Sequence, residues 1–168
     1  MQLQTLRDLL VEQLRDLYSA ETQLVQALPT MAAAASHDEL RQAFEHHLEE
    51  TREHATRLDE IFGELGVGAS GETCKGMQGL IEEGREFVTT GGDAAVRDAA
   101  LIAAAQRVEH YEISAYGTVR TLADQLELGH ARDLLDQTLD EESAADKLLT
   151  KIATGGMFKA GINKRAAQ

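Results

Sequence analysis

Carboxylate side chains occur inside the apolar stripes of four segments whose hydrophobic residues recur at helical spacing. A buried carboxylate either takes up a proton or finds a positive partner, because its charge is costly away from water. Arg57 is the basic residue nearest to these stripes, and it lies at the edge of one. We therefore expect metal ions to supply the missing positive charge. The expected metal ligands are Glu21, Glu50, His54, Glu109, Glu112, Glu142 and Asp146.

The spacing of these residues indicates two copies of one helical hairpin. Glu21 and Glu50 lie 29 positions apart, and Glu112 and Glu142 lie 30 positions apart. Each copy offers a glutamate from its first helix and Glu-x-x-x-(His/Asp) from its second. Di-iron carboxylate bundles use a similar two-fold pattern, although with Glu-x-x-His spacing. Because the spacing here is one residue longer, Glu53 is an alternative to the histidine that follows Glu50.

Several neighbouring polar residues are expected to lie outside this centre. His46 and His47 are predicted to be solvated or to lie between helices rather than to bind metal. Glu141 is predicted to point outward beside Glu142. A single glutamate in an apolar stripe is usually a boundary residue that reaches solvent, because glutamate is rarely buried unless it is paired. Here four glutamates occur at matching positions along four helices, which argues against that interpretation.

Four long helices must position these residues, and a shorter helix lies in the connector between the two pairs. The 168-residue chain is rich in Ala, Leu, Glu, Gln and Arg, which favour helix, and poor in β-branched and aromatic residues. Because the middle connection is long, the sequence predicts an all-α, ferritin-like four-helix bundle with a long crossover carrying an additional short helix. The predicted helices cover residues 5–29, 38–65, 75–88, 94–126 and 130–154.

Start and stop signals set the expected limits of these helices. Thr5 is predicted to cap the first helix, and Pro29 to end or kink it. Gly129 is predicted to close the third long helix. The bundle is assigned to residues 1–156, and residues 157–168 are expected to form a short basic C-terminal tail.

Composition excludes several classes of protein. The formal net charge of −13 would repel nucleic acid. The N-terminus lacks the pattern of a signal peptide, and no apolar run reaches the length of a membrane span, so we expect no membrane association. Cys74 is the single cysteine, which excludes an intramolecular disulfide and fits a cytoplasmic protein.

Four stretches carry a family resemblance: residues 16–24 (DLYSAETQL), 47–58 (HLEETREHATRL), 108–117 (VEHYEISAYG) and 138–148 (TLDEESAADKL). Together they resemble the YciF/YciE-type ferritin-like family of bacterial stress-associated proteins. The resemblance implies a ferritin-like fold, a homodimer and a dinuclear metal site at the glutamates, and it leaves the reaction open. The tail from Met157 onward lies outside it. Tyr18, Tyr111 and Tyr116 fit the family pattern; packing is their expected role, with ligand hydrogen bonding or a radical as alternatives.

The favoured hypothesis is redox chemistry at two iron ions, with O2 or peroxide as the reacting partner and manganese as the alternative metal. A second hypothesis is a non-enzymatic stress protein, in which metal is structural or absent and the dimer surface or acidic exterior carries the function. Iron storage in a hollow shell ranks last, because the sequence offers no sign of a cage-forming surface. Glu50 and Glu142 are expected to bridge the two metal ions. Glu21, together with Glu109 or Glu112, is expected to be a terminal ligand, and His54 and Asp146 are expected to complete or orient the ligand shell.

Overall fold

Local capping and a long apolar stripe set the first helix, α1 (Leu6–Ala34). The Thr5 hydroxyl accepts from the Asp8 amide at 3.1 Å, and the Asp8 carboxylate accepts from the Thr5 amide at 2.9 Å, which confirms the predicted cap. Pro29 lies inside α1 and does not end it. The computed structural model describes residues 3–156 and 159–168. The first two residues of the N-terminal segment, Met1 and Gln2, and the predicted start of the tail at Met157 lie outside the described residues.

The other helices follow in the expected order and build the predicted ferritin-like four-helix bundle. The first long helix packs on the second, and the third packs on the fourth. The short helix in the long crossover contacts the first and third long helices. The remaining helices are α2 (Asp38–Leu65), α3 (Lys75–Val88), α4 (Ala94–Gln125), α5 (Gly129–Thr154) and the short α6 (Ile162–Ala166).

The turn between α4 and α5 corrects one expectation. Gly129 begins α5 rather than closing α4. The reversal is made instead by Glu127, whose φ of 59° lies in the left-handed region. A glutamate there is unusual because its Cβ crowds the backbone in that conformation.

The described part of the tail folds back onto the bundle. Strands β1 (Gly155–Gly156) and β2 (Lys159–Ala160) pair antiparallel, and Ile162 of α6 is buried in the core. Gly155 has a φ of +80°, and a Cβ there would lie 2.3 Å from the amide nitrogen of Gly161. The close return of the chain therefore requires glycine at this position.

The apolar core consists of two clusters along the bundle. One cluster includes Leu24, Leu101 and Leu149, and the other includes Leu14 and Leu135. Most buried polar side chains come from the parts of the helices near the boundary between these clusters; Asp98 is an exception and accepts from the amides of Ser36 and His37. Every helix in the described part of the chain is too short or too polar to span a bilayer.

Candidate metal centre

Each long helix contributes at least one buried ligand-type side chain to a polar layer in the bundle. Each of these residues is at most 6% exposed. Helical periodicity explains the pairs on α2 and α4, because residues three or seven apart share a face. The layer contains Glu21 from α1, His47 and His54 from α2, Glu109 and Glu112 from α4, and Glu142 from α5.

Glu142 belongs to two groups of ligand atoms at once. One group joins it to His47, Glu109 and Glu112, and the other joins it to Glu21 and His54. Within each group the ligand atoms lie within 4.8 Å of one another. This geometry is suited to two adjacent metal ions with one shared carboxylate.

His54 is oriented from both sides of its ring. Nδ1 lies 3.0 Å from an oxygen of Glu142 and 3.5 Å from an oxygen of Glu21, whereas Nε2 lies 3.0 Å from Oε2 of Glu141. Arg57 in turn donates to Oε1 of Glu141 at 3.0 Å and to the Thr138 hydroxyl at 3.0 Å. A carboxylate behind a histidine is the arrangement that fixes a metal-binding imidazole in many metalloproteins. The expectation that Glu141 points outward is therefore incomplete, because its carboxylate reaches back to His54.

His47 occupies the other end of the layer. Its Nε2 lies 3.5 Å from Glu109 and 3.7 Å from Glu142, and its Nδ1 lies 3.6 Å from Glu50. The sequence predicts that His47 is either solvated or lies between helices, and the structure shows it buried between helices. His46, its neighbour, has a side chain that is 70% exposed.

The three tyrosines have different surroundings. Tyr116 is fully buried and donates a hydrogen bond to Glu21. Tyr111 donates to Asp16 at 2.7 Å and lies 3.0 Å from the thiol of Cys74. Tyr18 donates to the exposed Asp59 at 3.2 Å. Of the three tyrosines, only Tyr116 forms a hydrogen bond with the polar layer in the described part of the chain.

Burial and mutual repulsion disfavour charge on most of the acids. Burial, aided by the nearby charge of Glu142, raises the pKa of Glu112 well above its ordinary value. Burial likewise raises the pKa of Glu109 well above that value and raises the pKa of Glu21. Glu142 behaves differently: although burial acts to raise its pKa, His54 and His47 lower it overall.

The imidazoles and the outer carboxylate hold charge. Burial acts to lower the pKa of His47, but Glu109 and Glu50 raise it to about 9. Burial also acts to lower the pKa of His54, but its carboxylate neighbours Glu142 and Glu21 raise it to about 10. Burial acts to raise the pKa of Glu141, but hydrogen bonds from Arg57 and other donors lower it to about 2. Without metal, protonated imidazoles are the positive charge that the layer contains.

The donor set fits a pair of divalent cations. Both oxygens of Glu112 and Glu142, one oxygen each of Glu21 and Glu109, and Nδ1 of His54 are buried without an aligned hydrogen bond, although Nδ1 of His54 lies 3.0 Å from Glu142. Buried polar atoms are normally paired, so this concentration in one layer needs an explanation. Among residues 3–156 and 159–168, none of these carboxylates forms an ion pair with lysine or arginine. Two divalent ions would balance four carboxylates.

Glu50 and Asp146 lie outside the two ligand groups. Glu50 is at the rim, with a side chain 26% exposed, and Asp146 accepts a hydrogen bond from Gln106 at 2.9 Å. Glu53, the alternative to His54, is exposed and lies outside both groups. The structure brings together five of the seven expected ligands: Glu21, His54, Glu109, Glu112 and Glu142.

The fold and this layer together define a class of protein, namely a ferritin-like helical bundle whose buried glutamate and histidine side chains could hold a metal ion. The family described as "Domain of unknown function (DUF892)" matches residues 5–167. The chain belongs to this family. The match includes most of the tail, which corrects the expectation that the resemblance stops before Met157.

The protein is similar to Protein YciF of Escherichia coli strain K12 over nearly its whole length. The identity is 46% over 165 residues, which cover 98% of this chain and 99% of that protein. The crystal structure of the E. coli stress protein YciF matches with a TM-score of 0.86 and 47% identity, covering 89% of this chain and 94% of that one. YcfI from Rhodopseudomonas palustris matches with the same TM-score at 43% identity, covering 89% of this chain and 96% of its own.

Proposed function

We propose that the polar layer holds two metal ions, with iron as the first choice and manganese as the alternative, and that the protein oxidises Fe(II) with O2 or hydrogen peroxide. The observation that carries the proposal is the set of buried, unpartnered donor atoms shared by the two groups around Glu142. Oxygen and imidazole donors suit both metals. The relative in E. coli is described as a stress protein, and peroxide removal would suit such a role.

The ligand assignment follows the two groups. Glu142 would be shared by both ions, His54 and Glu21 would hold one of them, and His47, Glu109 and Glu112 would hold the other. Glu50 and Asp146 stay in the proposal as ligands that would have to turn inward when metal binds. Two ferrous ions bound there would supply two electrons, enough to reduce one hydrogen peroxide, which takes up two protons and yields two waters.

The surrounding residues prepare the layer for this chemistry. Glu141, held by Arg57, keeps Nδ1 of His54 directed at Glu142 and Glu21. Tyr116 fixes one oxygen of Glu21 and leaves the other without a partner. The apolar clusters exclude bulk water from the two ends of the layer, which strengthens the electrostatic interactions there.

Anaerobic binding followed by oxidation tests the proposal. We expect two Fe(II) per chain and oxidation faster than in protein-free buffer after O2 or peroxide is added. Glu142→Gln should lose most of the binding, because both groups share that carboxylate. Glu83→Gln, which removes an exposed charge on α3, is the matched control and should behave as wild type. Wild-type protein that binds no Fe(II), or that binds two and oxidises them at the rate of buffer, contradicts the redox proposal.

A second candidate is a structural, non-enzymatic stress protein acting through its surface. The specific observation that favours it is the solved relative from R. palustris, which is provisionally described as a structural protein. In this case metal would stabilise the bundle, and Fe(II) would bind without faster oxidation. For either candidate we propose a cytoplasmic homodimer, which sedimentation equilibrium of the purified chain would test by giving twice the 18.3 kDa mass.

A further inference from the structure

The polar layer has an opening between α2 and α5. A cavity of about 110 Å³ lies there, and its apolar lining includes the buried Phe44 and the exposed Leu148 and Ala144. Its inner wall includes His47 and Glu109, which are 6% and 2% exposed. Both ring nitrogens of His47 are buried without a hydrogen-bond partner. The opening therefore ends on unsatisfied metal-type donors.

A chain of ligand-type side chains connects this inner wall with the exterior. The exposed His46 places Nε2 3.4 Å from Oε1 of Glu50, and Oε2 of Glu50 lies 3.6 Å from Nδ1 of His47. Nε2 of His47 then lies 3.5 Å from Glu109 and 3.7 Å from Glu142. Each step is short enough for a cation to exchange one ligand for the next without being stripped of all of them.

An acidic groove leads to the outer end of the same chain. The groove, about 540 Å³ and open to solvent, is lined by Glu50 and by Asp133, Asp136 and Asp140 along one face of α5. Asp133 pairs with Arg132 and Asp136 with Arg120, whereas Asp140 forms no ion pair among the described residues. Within the part of the chain that the structure describes, no lysine or arginine lines the groove. Glu50 and Ala144 line both the groove and the opening, so the two adjoin each other.

We infer that divalent cations reach the buried centre by this route: the acidic groove on α5 collects them, His46 and Glu50 take them up at its inner end, and His47 passes them inward. The inference rests on the proposed metal centre and gives Glu50 a role that suits its position at the rim. A cleft lined by one sign of charge raises the local concentration of counter-ions and the rate of their association. The charge of the groove should therefore govern the loading rate more than the final occupancy.

Stopped-flow loading of the metal-free protein with Co(II), followed through its visible absorption under anaerobic conditions, tests this route. The triple variant Asp133→Asn, Asp136→Asn, Asp140→Asn should load about tenfold more slowly at low ionic strength, with a smaller difference in salt. Its stoichiometry at equilibrium should equal that of wild type. The matched control changes net charge by the same amount on the exposed face of α3 and should load as wild type; it carries Glu82→Gln, Glu83→Gln and Glu86→Gln.

Two variants at a single position test the opening itself. Ala144→Lys places a positive charge where the groove meets the opening and should slow loading, whereas Ala144→Glu should load at least as fast as wild type. His46→Gln should also slow loading, because it removes the outermost ligand. If the groove triple and Ala144→Lys load at the control rate into a wild type that binds two ions, the route is refuted and the centre stands. If wild type binds no Co(II) or Fe(II), the proposed centre fails and the route fails with it.

Discussion

Replacing Glu112 with leucine should stabilise the metal-free protein and abolish much of the stabilisation that metal provides. Glu112 is fully buried, and neither of its oxygens has a hydrogen-bond partner. Its pKa is raised well above the ordinary value by burial and by neighbouring carboxylates. In the metal-free state this side chain therefore opposes folding, and leucine removes the unsatisfied group.

The expected magnitude follows from these observations. An unsatisfied buried polar group costs about 1–3 kcal/mol, and leucine is as good a helix former as glutamate. The metal-free variant should thus gain about 1–3 kcal/mol, which in a chain of this size raises Tm by about 2–4 °C per kcal/mol. Metal at a hundred times its Kd stabilises a one-site protein by about 2.7 kcal/mol. Wild type should therefore recover its deficit, whereas Glu112→Leu should gain far less.

Thermal and urea unfolding followed by circular dichroism, in chelator and in excess metal, would measure both effects. Glu83→Leu makes the same change at an exposed position of α3 and should shift stability by less than about 0.5 kcal/mol in either condition. A metal-free Glu112→Leu protein that is less stable than wild type would refute the reasoning about the layer. An equal metal-induced rise in both proteins would refute the assignment of Glu112 as a ligand.

Three further predictions concern the surroundings of the centre. The pKa values of His47 and His54 are raised to about 9 and 10, so both imidazoles are protonated at neutral pH without metal. Metal binding should therefore release protons and weaken as pH falls from 9 to 6. Calorimetric heats that do not vary between two buffers of different ionisation enthalpy would contradict this. Tyr116→Phe removes the hydrogen bond to Glu21 and should lower metal affinity about 10–100-fold in equilibrium titrations, and unchanged affinity would argue against a positioning role. Cys74 is 1% exposed and burial raises the pKa of its thiol, so a thiol reagent should modify one thiol per chain in denaturant and almost none over the same minutes in buffer; rapid labelling of folded protein would contradict its burial.

The helices could be predicted closely because their limits depend on local chemistry. The predicted range of the short crossover helix coincides with α3, and the Thr5 cap is present as expected. The turn after α4 could not be predicted in the same way, because Glu127 adopts a conformation that its side chain disfavours. Pro29 stayed inside α1 because packing of the continuing apolar stripe overrides a local breaker.

The centre could be predicted in part, and the rest depended on helix rotation. At about 100° per residue, His47 and His54 lie within about 20° of each other around α2, whereas Glu50 lies about 40–60° to one side. Periodicity assigns all three to one face but does not say which part of that face is deepest. The seven-residue separation of the two histidines was a usable signal for His47. The sequence carried no comparable signal for the contact between Glu141 and His54, because that contact depends on Arg57 across the interface between α2 and α5.

The division of the apolar core into two clusters has a consequence for how the molecule unfolds. The layer between the clusters contains buried acids whose oxygens lack hydrogen-bond partners, so it connects the two ends weakly, and we expect each end to open without the other in chelator. Ions bound by residues of all four long helices would join the two ends into one cooperative unit. Amide hydrogens around Leu14 and Leu101 should then exchange with different protection in the metal-free chain and with nearly equal protection once the centre is filled.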